Sequence, residues 1–520
     1  MPSERRLHPA SFLFAIAGQL RQFLLPGVVV IFTAGAASGG WEPWWMFAVI
    51  PVAVGALLRS LSYRYHLDET ELVVRTGFVF RKERHIPYAR IQNIEAIQNV
   101  AHRLLQVIEV RIETGAGKED DATMRVVPVA AYQEIRECVL GSRPASALPA
   151  AEAGSPEPGG STIFRLTGRE LLLSGLIDNR SAVVIAAAFG VIWELGLFDR
   201  VFGLFFDDEV SGRRFVRQAV RQIFGGGVPS FQTLAFTVAG ALILFAAVTV
   251  LSMAWSYIRL YGFLLRRAGD DLRVEYGLFT RISATIPLWR IQTLTIFEGP
   301  LHRLFGRAAV KVETAGADAS EQGATGREPL APIIRRQDLK TLLEHVLPDV
   351  DFARLEWEAV APGAFWRELR RSAIAATVGS LLFGLMVTWL TLGLRIAPPW
   401  SGNKLTWWTL GLLVLLLALA TVHARRYTAS LGWATRDGAV LFRRGWLRQR
   451  ITVARFSKMQ IVALHRSPFD RRTGMARLRV DTAGAASEAD RIDIPYLPAD
   501  IASDLHRRLA AEASGTSFQW

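Results

Sequence analysis

Long apolar runs alternate with mixed polar segments three times along the chain. A bilayer core about 30 Å thick needs roughly 20 apolar helical residues to cross it. Six stretches approach that length, over 23–40, 43–58, 181–198, within 222–258, over 372–394 and over 405–422. The window 222–258 holds no Asp, Glu, Lys or Arg, whereas Glu194 interrupts the third stretch. The stretches fall in pairs, which predicts three helical hairpins; a buried soluble helix is the alternative for 181–198. Trp44, Trp45, Trp400, Trp407 and Trp408 sit near the expected helix ends, where indole rings favour the membrane interface. Gln19 and Arg21 break the apolar run behind Arg5 and Arg6, so the first segment is expected to stay as an anchor, not to be removed as a signal peptide.

The polar segments repeat one another. The first carries Gly77, HIPYARIQ at 85–92, AHRLL at 101–105 and VRIETGAG at 110–117. The second carries Gly277, TIPLWRIQ at 285–292, LHRLF at 301–305 and VKVETAGA at 310–317. The third carries Gly445, VARFSKMQ at 453–460, FDRRT at 469–473 and LRVDTAGA at 478–485. Gly77, Gln92, Arg103 and Thr114 map without a gap onto Gly277, Gln292, Arg303 and Thr314, and again onto Gly445, Gln460, Arg471 and Thr482. Alternation at Val110, Ile112 and Thr114, and at Val310, Val312 and Thr314, predicts strands. The turn glycines mark hairpins where positive φ is cheap; LVVRTGFVF at 72–80 reads as two short strands around Thr76–Gly77. Each segment closes on a strand, a proline (Pro128, Pro332, Pro495) and an amphipathic helix. Seven or so short strands capped by a helix is the plan of a pleckstrin-homology-like (PH-like) barrel, and roughly 80 residues suffice for one small core.

Hairpin, IPYARIQ-like segment, HRLF-like turn and VETAGA-like strand together resemble the bacterial PH-like domain of the YdbS/YdbT membrane-protein family, and the threefold repetition is similar to the YdbT subgroup. The resemblance covers nearly the whole chain. It implies a multi-pass protein of the bacterial cytoplasmic (inner) membrane with no established enzyme activity or catalytic residues. The third copy departs most: Ala454-Arg455 replaces Ile-Pro, Lys458 stands for Arg90 and Arg290, and the His of the HRL turn is missing.

The expected fold is therefore α+β, six transmembrane helices in three hairpins, each hairpin followed by a PH-like barrel or sandwich with a C-terminal helix. The divisions read as 1–62 (N-terminal segment and hairpin one), 63–141 (first module), 142–162 (an Ala/Pro/Gly/Ser-rich linker), 163–260 (approach helix and hairpin two), 261–348 (second module), 349–425 (approach helix and hairpin three), 426–512 (third module) and 513–520 (tail). The modules are expected to fold as three separate barrels, each with an edge open to a peptide strand.

Among 520 residues there are 60 Lys and Arg against 47 Asp and Glu, a net charge of +13. Arg5, Arg6, Arg21, Arg59 and Arg64 flank hairpin one, and Arg367, Arg370, Arg371, Arg425 and Arg426 flank hairpin three. This placement puts termini and modules in the cytoplasm and accounts for much of the charge without nucleic acid. Hairpin two breaks the pattern: Arg213, Arg214, Arg217 and Arg221 lie in its internal loop, which reads either as a basic amphipathic helix on a membrane surface or as a solvated loop. The single cysteine, Cys138, excludes an intrachain disulfide framework and a Cys-based zinc site.

Catalytic signatures are missing: there is no HExxH and no GxSxG. ETGAGKED at 113–120 lacks the spacing of a phosphate loop. No catalytic residue, metal or cofactor is expected. Arg90, Arg290 and Lys458, each two residues before Gln92, Gln292 and Gln460, form either a lipid-phosphate or peptide-binding edge or a fold signature in which the Gln satisfies backbone at a turn. Arg103, Arg303 and Arg471 carry the same two readings. His102 and His302 read as structural caps. Glu113, Glu313 and Asp481 read as strand partners of Arg111, Lys311 and Arg479. Glu194 is a membrane-embedded acid, a functional candidate unless it lies at the interface. The expected function is a non-enzymatic scaffold that binds membrane lipids and a protein partner or a second copy, in envelope stress or toxin resistance. The alternative is a transporter or export accessory with a path between the hairpins.

Overall fold

The computed structural model describes residues 5–6, 11, 14, 62–77, 81–88, 91–114, 122–141, 161–177, 231–314, 327–393, 403–482 and 492–515. The stretches 23–40, 43–58 and 181–198, with Glu194, the basic loop 213–224, Arg90 and most of the 142–162 linker, lie outside them.

The first module runs β1 (Arg5–Arg6), β2 (Arg64–Leu67), β3 (Glu71–Thr76), β4 (Lys82–Pro87), β5 (Ile91–Gln98), α1 (Val100–Leu104), β6 (Val107–Thr114), β7 (Ala122–Pro128) and α2 (Val129–Gly141). The second runs β8 (Ser161–Arg165), α3 (Gly168–Ile177), α4 (Phe231–Leu260), β9 (Leu264–Ala268), β10 (Asp271–Tyr276), β11 (Arg281–Pro287), β12 (Ile291–Glu298), α5 (Pro300–Leu304), β13 (Arg307–Thr314), β14 (Arg327–Arg335) and α6 (Arg336–Val346). The third runs α7 (Ala364–Gly393), α8 (Asn403–Ser430), β15 (Gly432–Arg436), β16 (Ala439–Arg444), β17 (Gln449–Arg455), β18 (Met459–His465), α9 (Pro468–Arg472), β19 (Met475–Thr482), β20 (Ile492–Pro498) and α10 (Ala499–Gly515).

Three described helices are long and apolar enough to cross a membrane, with spans at Val238–Leu260, Ala364–Trp389 and Trp407–Ser430. They match the fourth, fifth and sixth stretches. Helices α7 and α8 pack as a hairpin, with Ser380 Oγ donating to Thr409 O at 3.2 Å. The approach helix expected near 165–179 is α3, and its counterpart near 365–371 is the first turns of α7 itself. Helix α3 crosses α4 at Gly175, where a Cβ would stand 2.5 Å from Met253 Cα; Ser252 Oγ donates to Gly175 O at 3.0 Å. Only a residue without a side chain permits that approach.

Two expectations need correction. First, each module begins before its apolar stretches, not after them. β1 pairs with β2, β8 with β9, and Glu358 bridges to Trp433, so the first strand and the rest of the module flank the membrane segment. The divisions at 63, 261 and 426 therefore cut through the folded units, and the last residues of the expected linker, from Ser161, are strand β8. Second, the modules are not separate barrels. The first starts with a sheet in the order β1-β2-β3-β4, the last ends with β18-β19-β20, and between them lie β7-β6-β5-β11-β10-β9-β8 and β14-β13-β12-β17-β16-β15. The second half of one module thus continues edge to edge into the first half of the next. A strand edge leaves a row of N–H and C=O groups unpaired, and here the neighbouring module satisfies them. The cores merge as well: Ala434, Ala439, Leu441 and Val453 of the third module pack with Leu294, Leu330 and Leu343 of the second. The first and third modules also have clusters of their own around Met124 and Ile135, and around Met475 and Leu505.

The turn glycines take the expected conformation, with φ of 102° at Gly77, 111° at Gly277 and 88° at Gly445. The turn in the second module is longer than the sequence suggested, and β11 starts only at Arg281. This turn rests on the end of membrane helix α4: Gly277 N donates to Tyr261 O at 2.8 Å and Leu278 N to Ile258 O at 3.0 Å.

A Cβ at Gly277 would stand 1.9 Å from Thr280 O. Gly277→Val is expected to destabilise the protein by about 3 kcal/mol. Because β11 pairs with β5, limited proteolysis should loosen β5–β7 together with β9–β11. Cleavage confined to 261–347 would mean that the shared sheet does not couple the modules.

Candidate functional site: the arginine junctions between modules

The short helices α1, α5 and α9 occupy the same place after β5, β12 and β18, and each is fixed at its N-terminus by its third residue or the cap before it. Asn99 Oδ1 accepts from His102 N at 2.8 Å. Gly299 N donates to His302 Nδ1 at 3.4 Å. In the third copy Ser467 N donates to Asp470 Oδ2 at 3.0 Å and Asp470 N to Ser467 Oγ at 3.2 Å, a reciprocal capping box. The missing histidine of FDRRT is thus replaced by another side chain that accepts at the same place. His102 is buried and stacks near Phe14, with ring centres 4.1 Å apart.

The next residue is the repeated arginine. Arg103 Nη2 donates to Leu278 O at 2.6 Å and Phe279 O at 3.2 Å, in the turn after Gly277 of the following module. Arg303 Nη2 donates to Trp446 O and, at 2.5 Å, to Leu447 O, in the turn after Gly445 of the third. Beside these contacts the strands pair in one register. Arg281, Ile282 and Ser283 face Gln98, Ile97 and Ala96. Their repeat equivalents Gln449, Arg450 and Ile451 face Glu298, Phe297 and Ile296. Arg450 lies over the Phe297 ring at 4.5 Å. A guanidinium aimed at the carbonyls of a turn is a charge-assisted bond, and glycine is what lets those carbonyls turn outward. The Gly and Arg that recur in each repeat are therefore the two halves of one junction. Arg471 is exposed, and among the described residues no module follows it to supply such a turn.

The other candidates separate. Arg290 is only 2% exposed, in the turn between β11 and β12, so it is not part of a surface edge for lipid phosphate. Gln292 is buried and its Nε2 donates to Arg290 O at 3.4 Å, the turn-satisfying role. Lys458 is half-buried in the equivalent turn; burial and, after it, the Arg455 charge pull its amine below the usual lysine range. Gln460 is exposed. Gln92 lies on β5, and Arg90 falls outside the described residues. Glu313 is buried and accepts from Thr293 Oγ1 at 2.8 Å. Arg111 bonds Glu109 at 3.1 Å, and Arg479 reaches Asp493 at 4.0 Å. No group of three or more His, Cys, Asp or Glu is placed to hold a metal among the described residues.

Sequence reasoning passed over two carboxylates that hold the approach helix α3 and the membrane helix α7 to the modules. Glu170, in the first turn of α3, accepts from Thr167 N and Thr167 Oγ1, both at 3.1 Å, and pairs with Arg307 at 2.8 Å and Arg335 at 3.7 Å. Burial pushes its carboxyl up, but the Thr167 amide, Arg307 and the Thr167 hydroxyl together outweigh burial and hold it below its ordinary value. Glu368 of α7 is 0% exposed, accepts from Tyr496 Oη at 2.7 Å, pairs with Arg371 at 2.8 Å and lies 3.8 Å from His423 of α8. Tyr496 adopts φ 60°, a left-handed strain tolerated where surroundings over-determine the residue. Neighbouring Arg367 pairs with Asp470 at 3.0 Å, and Trp446 Nε1 donates to His423 Nδ1 at 3.2 Å. One residue thus joins the junction to the membrane hairpin: Trp446 offers its backbone carbonyl to Arg303 and its ring N–H to His423 of α8. The signal was present as Arg-Glu-Leu at 169–171 and again at 367–369.

The model of a family described as the bacterial PH domain matches residues 15–143, 224–350 and 373–513. The chain belongs to the bacterial PH domain family. Each match takes in apolar sequence followed by the polar module and begins after β1, β8 and Glu358, the residues that pair from before the apolar stretches. The UPF0699 transmembrane protein YdbT of Bacillus subtilis (strain 168) is 23% identical over 370 residues, covering 67% of this chain and 70% of the relative. No solved structure matches the chain.

Arg303→Ala removes charge-assisted bonds at a solvent-facing site and should cost about 1 kcal/mol. Amide exchange should rise along β12 and β17 while β9 and β10 stay protected. Arg303→Lys should recover only part of the loss, because an ammonium does not present the guanidinium fork. Unchanged exchange at β12 and β17 would show that the arginine does not hold the junction.

Glu170→Gln leaves Arg307 without its buried partner and should cost about 3 kcal/mol at neutral pH. A carboxyl held below its unfolded value stabilises above that value and loses its contribution as pH falls through the folded one. Between about pH 5 and 3 the native protein should therefore lose stability more steeply than the variant. Parallel acid limbs in denaturation curves would contradict the assignment.

Proposed function

We propose that the protein is a non-enzymatic scaffold of the bacterial inner membrane, with six spans in three hairpins and its PH-like modules in the cytoplasm, holding protein or lipid partners. The observation that carries this reading is the double locking of the modules. Arg103 and Arg303 join them edge to edge, and Glu170 and Glu368 tie them to the membrane helices. A row held at both levels suits presentation of a fixed surface. Arg259, Arg266, Arg267, Arg425 and Arg426 at the module ends of the spans support a cytoplasmic placement.

The transport reading requires polar groups free to line a path. The hydroxyls it would use turn back onto backbone: Thr249 Oγ1 donates to Phe245 O and Thr388 Oγ1 to Gly384 O, both at 2.8 Å, and Ser252 Oγ to Gly175 O. This favours the scaffold. Reporter fusions after Ser142, Pro348 and Trp520 should all read cytoplasmic, and capture from native membranes with lipid analysis should recover a reproducible partner or lipid class. A periplasmic reading at any of the three fusions would overturn the placement. Capture of no partner or lipid above a mock membrane would overturn the scaffold.

A further inference from the structure

The strand register gathers the turns after Gly277 and Gly445 and the short helices α1, α5 and α9 at one end of the modules, the end that the membrane helices enter. Strand β9 starts just after α4, its Leu264 faces Glu275 near the end of β10, and Tyr276 faces Ile282. Arg281, beside that turn, faces Gln98 at the end of β5, where α1 follows; Gln449 faces Glu298 at the end of β12, where α5 follows. At this end the modules leave large apolar side chains uncovered. Leu104 of α1 is 84% exposed, Leu304 of α5 74%, Phe469 of α9 61%, Phe279 55% and Leu447 52%. We propose that these five side chains seat in the interfacial layer of the bilayer that the chain crosses, with phospholipid as their partner, so that the joined modules rest on the membrane along their length.

Three observations name lipid as the occupant. The first is level. Leu278 N donates to Ile258 O, inside the span Val238–Leu260, and Gly277 N to Tyr261 O just past it, so the turn that carries Phe279 stands at the end of the apolar span. Trp446, next to Leu447, gives its ring N–H to His423 inside the span Trp407–Ser430. Arg367, in the first turn of the span Ala364–Trp389, holds Asp470, next to Phe469, at 3.0 Å. Leu104 and Leu304 are brought to the same level by Arg103 and Arg303, which bind the two turns. The second is recurrence. Leu104 and Leu304 occupy one repeat position, and Phe279 and Leu447 another; in the third copy the first of these is Arg472, and Phe469 stands where Leu301 does. Apolar residues scattered singly over a surface are ordinary, but a set that returns at one end of each unit marks a contact. The joints that cover the strand edges leave all five exposed, so among the described residues no neighbouring module is their partner. The third is charge. Arg448 and Arg472 are exposed beside Leu447 and Phe469, and a guanidinium suits a lipid phosphate. Apolar side chains interleaved with arginine at the level of the helix ends have the composition of an interfacial segment.

The inference rests on the scaffold reading only in that α4, α7 and α8 cross a bilayer. Full-length protein with Cys138→Ser is given a single new cysteine by Leu104→Cys, Leu304→Cys or Leu447→Cys. The control is Asp270→Cys, exposed between β9 and β10 at the opposite end of the second module. Each variant is labelled with bimane and reconstituted into vesicles of phosphatidylcholine and phosphatidylglycerol. Phosphatidylcholine with a nitroxide high on the acyl chain should quench the first three labels about threefold more strongly than the control. Omitting phosphatidylglycerol should weaken that quenching about twofold. Quenching equal to the control at all three positions overturns the proposal; if maleimide is then blocked there in native membranes, a protein covers the face instead. Quenching indifferent to phosphatidylglycerol overturns the part given to the arginines. Val250→Cys, mid-span in α4 and 65% exposed, reports the crossing itself through a nitroxide deep in the chain. Quenching at Val250→Cys with none at the three sites removes this inference alone, whereas no quenching at Val250→Cys removes the membrane crossing with it.

Discussion

The structure depends on how the strand edges of a repeated module are satisfied. A small sandwich made of one four-stranded and one three-stranded sheet has exposed edges, and every unpaired amide on them must find water or a partner. In this chain the partner is the next repeat. Once β11 lies beside β5 and β17 beside β12, the turn before β11 or β17 comes within reach of the arginine that follows β5 or β12. The turn also meets the membrane side of the molecule. Gly277 and Leu278 donate to the last turn of α4 while Leu278 and Phe279 accept from Arg103. A single four-residue turn is therefore held by the membrane helix beneath it and by the preceding module beside it.

The carboxylates add the second constraint. A helix joined to a soluble module could pivot about its loop, but Glu170 and Glu368 place a buried anion at the first turns of α3, which packs on membrane helix α4, and of membrane helix α7. Each is matched by one partner from the module's sheets, Arg307 of β13 or Tyr496 of β20, and by one local partner, Thr167 just before α3 or Arg371 one turn along α7. Removing either partner leaves a charge in a poorly solvated place, which makes the helix direction a strongly held quantity. The pairs specify orientation more than they add net stability.

The sequence disclosed the repeat, the turn glycines and the strand alternation, because each is local and recurs at a fixed spacing. It disclosed the three described membrane helices for the same reason. The fused sheets were not legible, since β11 reads as an alternating strand whether its free side meets water or β5. Nor was the role of Arg103: a basic residue at the end of a short helix fits a lipid phosphate as readily as a turn carbonyl some 175 residues away. The module boundaries were misread because β8 is five residues long and is separated in sequence from β9 by all of residues 166–263. Glu170 and Glu368 escaped because an acid in a polar approach segment looks solvated until its partners, from β13 and β20, are known.

The departures of the third copy become intelligible on the same terms. Asp470 replaces histidine but caps its helix equally well, with Ser467 completing the exchange. Ala454 stands where Ile86 and Ile286 pack, and it is buried opposite Thr293 at the far end of the joint with β12. Arg455 replaces the proline of the other copies and reaches Asp349, at 3.0 Å, in the segment leaving the second module. The changes at Ala454 and Arg455 sit where the third module meets the second, and each is matched by the neighbour it meets. Arg471 keeps the residue type of Arg103 and Arg303 but is exposed, because among the described residues no module follows it to bring a turn within its reach.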